Sequence, residues 1–293
     1  NQTLVGVYGE NEVGWNSWLK TVAGLRFDQF NTKVISHTQA LNSGSANASK
    51  ISPKLSVIFG PWQKTEFFIN AGNGFHSNDA RGTTAKIDPK TGLPIDAVPG
   101  LVSSRGQELG IKSQIIPDLQ TTLAIWRLDF DSELVYVGDA GNTEAGRPSR
   151  RTGVEWSNHW TPGAHFLMDA NFAWTRPRYS DNDPAGNYIA NAVQKVANLT
   201  FAVRHLGPWS GSLGVRYIGA APLMEDNSVS STSSLTTNLR INRKMSNDLD
   251  IALDVLNLAD RKNNDISYYY TSRVSSEPLL GVEGLHVHPA EPR

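Results

Sequence analysis

The stretch Trp126-Arg127-Leu128-Asp129-Phe130-Asp131-Ser132-Glu133-Leu134-Val135-Tyr136 decides the fold class. Trp126, Leu128, Phe130, Leu134 and Tyr136 fall on one side of an extended chain, and Arg127, Asp129, Asp131 and Glu133 fall on the other. This follows because successive strand side chains point to opposite faces. A packed sandwich core would bury the charged set at prohibitive cost. A sheet with lipid on one side and a water-filled or plugged lumen on the other accepts both sets. The expectation is that the apolar set faces outward and the charged set faces the lumen.

The same period of two recurs along the chain. Ala164, Phe166, Met168, Ala170, Phe172 and Trp174 oppose His165, Asp169 and Asn171. Leu199, Phe201 and Val203 oppose Asn198, Thr200 and Arg204, and Leu235, Leu239 and Ile241 oppose Asn238, Arg240 and Asn242. Leu249, Ile251, Leu253 and Val255 oppose Asp250 and Asp254. Helical spacing appears only around residues 188–197, where Ile189, Val193 and Ala197 allow a short loop helix at most.

The connections alternate in length. Tight ones are expected at 10–14, Gly60-Pro61-Trp62-Gln63, Ile116-Pro117-Asp118-Leu119, Trp160-Thr161-Pro162-Gly163, Gly207-Pro208-Trp209-Ser210 and Ser246-Asn247-Asp248. Long polar ones are expected at 36–50, 77–104, 138–149, 178–193 and 220–231. A propeller also repeats its turns, but a blade has four strands and each interval here holds two. Strand, tight turn, strand, long loop is the rhythm of a transmembrane barrel. Trp15, Trp18, Trp62, Trp160 and Trp209 lie at or beside the tight connections, as an interfacial aromatic girdle requires; chance placement of Trp after Pro is the competing explanation.

Composition excludes several classes. Of 293 residues, 39% are hydrophobic and 19% charged, both low for a soluble globular domain. Lys and Arg number 27 against 28 for Asp and Glu, a net charge of -1, which leaves no electrostatic footprint for nucleic acid. With no cysteine, disulfide frameworks, thiolate metal sites and cysteine nucleophiles are excluded together. The apolar runs fall far short of the about 20 residues a transmembrane helix needs. Asn1 is not an initiator and no signal-like segment opens the chain, so a mature fragment or partial chain is expected.

A set of motifs resembles the C-terminal half of TonB-dependent outer-membrane receptors. Gly24-Leu25-Arg26-Phe27-Asp28 resembles that family's G-x-R-x-D strand, and Ser52-Pro53-Lys54 its P-K strand start. Gly74-Phe75-His76-Ser77-Asn78-Asp79-Ala80-Arg81-Gly82 is similar to a strand-end motif of one receptor group. Glu108-Leu109-Gly110-Ile111-Lys112 resembles the E-x-G-x-K strand, and Arg151-Thr152-Gly153-Val154-Glu155 the R-x-G-x-E strand. Leu253-Asp254-Val255-Leu256-Asn257-Leu258-Ala259-Asp260 resembles the near-terminal N-L-F-D segment, with Ala259 where Phe is usual. The motifs occur in family order across nearly the whole chain. The resemblance implies that residues 1–293 are the C-terminal portion of an all-β, antiparallel up-and-down transmembrane β-barrel. This portion contributes roughly 12 of about 22 strands. It also implies that the plug, the TonB box and the first strands are missing, and that the closing strand is cut off at Pro292-Arg293.

Candidate binding residues flank the long connections. Arg81, Arg105, Arg147, Arg150 and Arg151 carry guanidinium forks that suit carboxylates and phosphates. Their partner would be an anionic ligand such as an iron chelate, or the phosphates of lipopolysaccharide; ordinary loop solvation is the competing reading. His76 and Asp79 join this set, since no serine nucleophile context accompanies them as a hydrolase would need. His286-Val287-His288 offers two imidazoles, too few for a closed metal site. Gly72-Asn73-Gly74-Phe75 has no helix after it to bind an anion, and fits a lumen-facing strand that a plug approaches closely. Tyr268, Tyr269 and Tyr270 read as an aromatic belt or as packing. No G-x-S-x-G, H-E-x-x-H, P-loop or EF-hand pattern occurs, so no catalytic residue, metal or cofactor is assigned.

The resemblance implies an outer-membrane receptor of a Gram-negative bacterium that takes up a scarce ligand, foremost a ferric siderophore or other metal chelate. Its partners would be the TonB complex, acting through the plug, the small-molecule ligand, and outer-membrane lipid and lipopolysaccharide, with no nucleic acid. Haem, vitamin and oligosaccharide receptors share these strands, so the ligand is not named by them. The alternatives are a soluble or surface β-rich carbohydrate-binding protein and an outer-membrane hydrolase. A continuous apolar band about 25 Å tall separates the receptor from the soluble protein. A convergent nucleophile and base would mark the hydrolase.

Overall fold

The structure is a computed structural model describing residues 1–88, 91–137 and 142–290. Its strands are β1 Gln2–Gly14, β2 Leu19–Val34, β3 Gly44–Trp62, β4 Thr65–Ser77, β5 Leu101–Ser113, β6 Leu119–Phe130, β7 Leu134–Val137 and β8 Asn142–Ala145. They continue with β9 Ser149–Trp160, β10 Phe166–Tyr179, β11 Lys195–Leu206, β12 Trp209–Ile218, β13 Ser234–Lys244, β14 Asp250–Val255, β15 Asn264–Ser272 and β16 Val282–Pro289. Twelve of these form one antiparallel sheet in the order β1-β2-β3-β4-β5-β6-β9-β10-β11-β12-β13-β14. β7–β8 and β15–β16 are separate hairpins. The all-β, antiparallel up-and-down barrel sheet expected from the alternation is therefore present. The helical segment allowed at 188–197 is not: β11 begins at Lys195, and no α-helix occurs among the described residues.

Long and short connections fall at opposite ends of the sheet. The short ones span 15–18, 63–64, 114–118, 161–165, 207–208 and 245–249; the long ones span 35–43, 78–100, 131–148, 180–194 and 219–233. Two short turns are displaced from their expected places. Residues 10–14 belong to β1, and Gly60–Trp62 belongs to β3. There the chain reverses at Gln63 and Lys64, with φ of 48° and 60°, the pair of left-handed conformations a two-residue hairpin needs. Pro61 marked the neighbourhood of the turn but sits inside the strand.

Paired residues share a face, so the register carries each face across the sheet. One row runs Ile69, Leu109, Ile125, Val154, Trp174. The next row toward the tight turns runs Phe67, Ile111, Leu123, Trp156, Phe172, Ala197, Tyr217, Leu235. The face built from such rows is apolar and open: Leu25 is 57% exposed, Ile125 52%, Trp156 50% and Leu253 59%. Exposed apolar surface on this scale is not left in water; it is a surface for hydrocarbon. Phe166, Met168, Phe172 and Trp174 lie on it, as do Leu199, Phe201, Val203, Leu235, Leu239, Ile241, Ile251, Leu253 and Val255. Asp250 and Asp254 take the polar face. These assignments match the alternation.

The opening stretch is the exception. Arg127 and Asp129 share the face of Leu123 and Ile125, while Trp126, Leu128 and Phe130 lie on the polar face. The period was read correctly and the face inverted. The physical reason is that the whole register fixes a strand's face, and the apolar half of β6 lies earlier, at Leu123 and Ile125. Trp126 turns inward over Gly153, where a Cβ would sit 2.6 Å from the indole. Asp131 and Glu133 fall in the connection after β6. The side chains of Leu134 and Tyr136, residues 138–141, and Pro292-Arg293 lie outside the described residues.

The family-like motifs make sense on the polar face. Gly24, Arg26 and Asp28 alternate onto it, and Arg26 forks onto Asp28 at 2.7 Å. Gly110 lies under the Phe68 ring, where a Cβ would meet it at 2.2 Å. The glycine at the centre of these repeats is thus a seat for a long side chain from the adjacent strand. The buried apolar residues, Phe30, Leu101, Val102, Tyr179, Ile189, Ala221 and Leu223 among them, cluster where long connections fold over strand ends. Asn42 ties 35–43 to 78–100, its side chain bonding Lys86 N, Ile87 N and Ile87 O. Thr32 on β2 meets Thr83 at 3.0 Å.

Candidate functional site

At the long-connection end of the polar face, several strands bring charged and aromatic groups together. β6 ends on Phe130, whose ring lies 6.0 Å from the His76 ring of β4 and 5.6 Å from the Arg151 guanidinium of β9. Alternation puts Ser149 and Arg151 on the same face, and both reach Glu133 in the connection after β6. Arg151 Nη2 donates to both Glu133 oxygens at 2.9 Å, and Ser149 Oγ donates to the same carboxylate. Glu133 is only 9% exposed, so this pairing offsets the cost of burying its charge. His76 Nε2 is buried without a hydrogen-bond partner among the described residues.

Arg147 joins three connections. Its Nη2 donates to Asp181 at 2.7 Å, its Nη1 donates to Glu225 at 2.6 Å, and its guanidinium lies 4.3 Å from the Tyr179 ring. Hydrogen bonding to Asp181 raises the Arg147 pKa above the ordinary arginine range and lowers that of Asp181 below the ordinary carboxylate range. Beside this clamp, 180–194 and 219–233 enclose a pocket of about 290 Å³ lined by Asp181, Asp183, Asn187, Tyr188, Glu225 and Asp226. Arg178 stacks over Tyr188 at 3.6 Å.

The seven candidate residues are not gathered in one place. His76 and Arg151 face the polar side and meet through Phe130. Arg147 stands in the connection above them. Asp79 and Arg81 pair with each other at 2.7 Å within 78–100, and the hydrogen bond from Arg81 holds the Asp79 carboxyl below the usual carboxylate range. Arg105 and Arg150 lie on the other face, in one row with Asp129. Sequence reasoning did not find Phe130, Glu133, Tyr179, Asp181 or Glu225. The acids at 181 and 225 were visible, but they stand 34 and 78 residues from Arg147, and no periodicity signals such a pairing.

The arrangement can recognise charge and stack on flat groups. Among the described residues no serine hydroxyl bonds a histidine ring, and His159 pairs with Asp169 at 2.6 Å instead. No group of three or more potential metal ligands occurs among the described residues. In the hairpin β15–β16, Tyr270 stacks on His286 at 4.0 Å, which accounts for one tyrosine of the run and one of the two neighbouring imidazoles by packing.

The family described as TonB dependent receptor-like, beta-barrel, matches residues 1–258. Solved structures share the fold at low identity. The ferric yersiniabactin uptake receptor FyuA of Yersinia pestis superposes with a TM-score of 0.76 at 15% identity, covering 99% of this chain and 44% of that one. The siderophore receptor PiuA of Acinetobacter baumannii gives 0.74 at 14%, over 99% and 42%. The ferric-catecholate import receptor Fiu of E. coli K12 gives 0.72 at 16%, over 99% and 43%. The chain thus spans less than half the length of these receptors. No curated protein matches the sequence.

Proposed function

The chain belongs to the TonB-dependent receptor-like β-barrel family, and on that premise we propose that it forms the C-terminal part of a receptor barrel. That receptor imports a ferric siderophore or a similar metal chelate across the outer membrane with TonB-coupled energy. The observation that carries this reading is the set of cationic and aromatic side chains at the long-connection end: His76, Phe130, Arg151 and Tyr179 on the polar face, with Arg147 over Tyr179 in the connection above. The names of the solved receptors, two of which specify ferric ligands, support an iron chelate as the cargo. Of the loops expected at 77–104 and 138–149, residues 78–88, 91–100 and 142–148 face the exterior and help to hold the ligand, with Asp79, Arg81 and Arg147 among them; residues 89–90 and 138–141 lie outside the described residues. The TonB complex acts through a plug, and the barrel sits among outer-membrane lipid and lipopolysaccharide.

The test is uptake of radiolabelled iron from a panel of ferric chelates by iron-limited cells whose only ferric receptor is the full-length protein. Uptake of at least one chelate, lost when the TonB complex is removed, is expected. Arg81→Ala and Arg147→Ala should each weaken uptake about tenfold at limiting ligand, as loss of a charge-assisted hydrogen bond implies. Failure to take up any ferric chelate, or uptake indifferent to TonB, would overturn the proposal.

A further inference from the structure

Strands β15 and β16 stand apart from the large sheet as a two-stranded hairpin. Its base is fastened at the long-connection end of β13. The Asn263 side chain accepts from Leu235 N and donates to Leu235 O, and Ala290 N donates to Asn263 O. The paired register puts Ile266, Tyr268 and Tyr270 of β15 on one face with Gly284, His286 and His288 of β16. His286 lies opposite Tyr268, and His288 lies opposite Ile266. The Tyr270 ring reaches diagonally from opposite Gly284 and stacks on His286 at 4.0 Å, with 19° between the planes. One face of that imidazole is thereby fixed.

Neither imidazole makes a hydrogen bond or ion pair among the described residues, and Nε2 of His286 is enclosed without a partner. His159 and His165, by contrast, engage Nδ1 with Asp169 and with Arg204 O. Leaving a polar atom buried and unpaired is costly, so the His286 nitrogen calls for a partner that the chain does not supply. His288 beside it is exposed. Two positions apart on one strand, the side chains leave the backbone about 7 Å apart and on the same side. Two imidazoles can close that gap on a single ion, each nitrogen about 2.0–2.1 Å from it.

Neutral imidazole suits zinc, nickel and copper. Zinc sites take three or four protein ligands, and no group of three histidines and carboxylates converges among the described residues. Copper(II) binds nitrogen and oxygen donors most tightly of the divalent series and accepts a tetragonal set, which water can complete. β15 and β16 carry Asp265 and Glu283 and no lysine or arginine, so the charge of the strands favours a cation.

We propose that the β15–β16 hairpin holds one copper(II) ion on the imidazoles of His286 and His288, with water completing the coordination. The Tyr270 stack keeps the His286 ring in place for it. The site is separate from the cluster of His76, Phe130 and Arg151, and its occupancy does not depend on which ligand is imported.

The full-length receptor in detergent micelles tests it. The protein is stripped with a chelator and dialysed against copper(II) chloride alone; bound metal is counted and its electron paramagnetic resonance spectrum recorded. The expected result is a copper(II) ion split by two imidazole nitrogens and held at least about tenfold more tightly than zinc(II). His286→Gln and His288→Gln should each weaken retention about tenfold or more and reduce the splitting to one nitrogen. His205→Gln, which removes an imidazole from β11, should change neither. Should His286→Gln disturb the hairpin, His288→Gln at its exposed position decides together with the unsubstituted spectrum. No bound copper(II), a spectrum without imidazole nitrogen, or retention unchanged in His288→Gln would overturn the site. Equal retention of zinc(II) would overturn the copper assignment. Uptake of ferric chelates is measured separately, so failure of this site and failure of the uptake reading are told apart.

Discussion

Replacing Phe172 with arginine separates a hydrocarbon-facing surface from a merely exposed one. Phe172 lies six residues along β10 from Phe166, the first residue of the strand at the tight-turn end. At about 3.3 Å per residue and a tilt of about 40°, that is about 15 Å along the membrane normal, near the middle of an apolar band about 25 Å tall. Its row neighbours are Trp156 and Ala197, neither carrying a negative charge to pair with a cation. Arginine at mid-depth on a lipid face costs about 2–4 kcal/mol, whereas the same change at a water-exposed site stays within about 0.5 kcal/mol. Asn171→Arg, one residue away on the polar face, is the control. Trp174→Arg, beside Lys195 and nearer the long-connection end, should cost only about 0–1 kcal/mol. The assay is urea titration of the full-length protein folding into lipid vesicles, with the denaturant slope checked for constancy. The reasoning is refuted if Phe172→Arg falls within about 0.5 kcal/mol of Asn171→Arg.

Other outcomes follow from single contacts. Gln63→Asn with Lys64→Gly should stabilise the β3–β4 hairpin by about 1 kcal/mol, because both positions are left-handed and Asn-Gly is preferred there; no gain in the same titration would count against the turn. Gly153→Val should destabilise by about 1–3 kcal/mol, since its Cβ meets the Trp126 ring and neighbours must shift; a neutral result would mean Trp126 does not lie over Gly153. Arg147→Met should raise proteolytic nicking within 180–194 and 219–233 while leaving the unfolding midpoint of the sheet in place. Unchanged nicking would remove the clamp. The depressed Asp79 pKa makes its pair with Arg81 fully effective above the unfolded carboxyl value near about 3.9, with loss as pH falls through the lower folded value. Amide exchange at 79–83, corrected for intrinsic rates, should stay flat from about pH 7 to 5 and rise only below about pH 4; a rise beginning near pH 6 would implicate a histidine instead.

The sheet was legible because a period of two is a local property: β10, β11, β13 and β14 announce both their strands and their faces within their own lengths of 14, 12, 11 and 6 residues. β6 shows the limit. Its period is local, but its facing is set by β5 and β9, and an eleven-residue window that held only its last five residues, 126–130, inverted it. The displaced turn at Gln63 and Lys64 has a similar origin, since neither residue type advertises a left-handed conformation. The candidate site was legible only as a supply of arginines. Which carboxylate each one meets depends on connections folding over one another. The sorting of Arg150 and Arg151 to opposite faces, which separates a lipid-facing role from a lumen-facing one, follows from adjacency alone once the register is known.

Each strand of the large sheet pairs with the one before it in sequence, and the sole skip, from β6 to β9, only bypasses a hairpin formed locally by β7 and β8. No pairing therefore has to wait for a distant part of the chain, and the loop-closure entropy of each step is set by one connection. Assembly can advance as a ribbon that lengthens sideways, each strand templating its successor. During that advance the newest strand presents a row of unsatisfied amides and carbonyls, the feature that invites mispairing between chains. The longest waits come where 78–100 and 131–148 must be spanned. The Asn42, Glu133 and Arg147 contacts that fasten these connections can therefore act as latches, shortening the time during which the growing edge stands open.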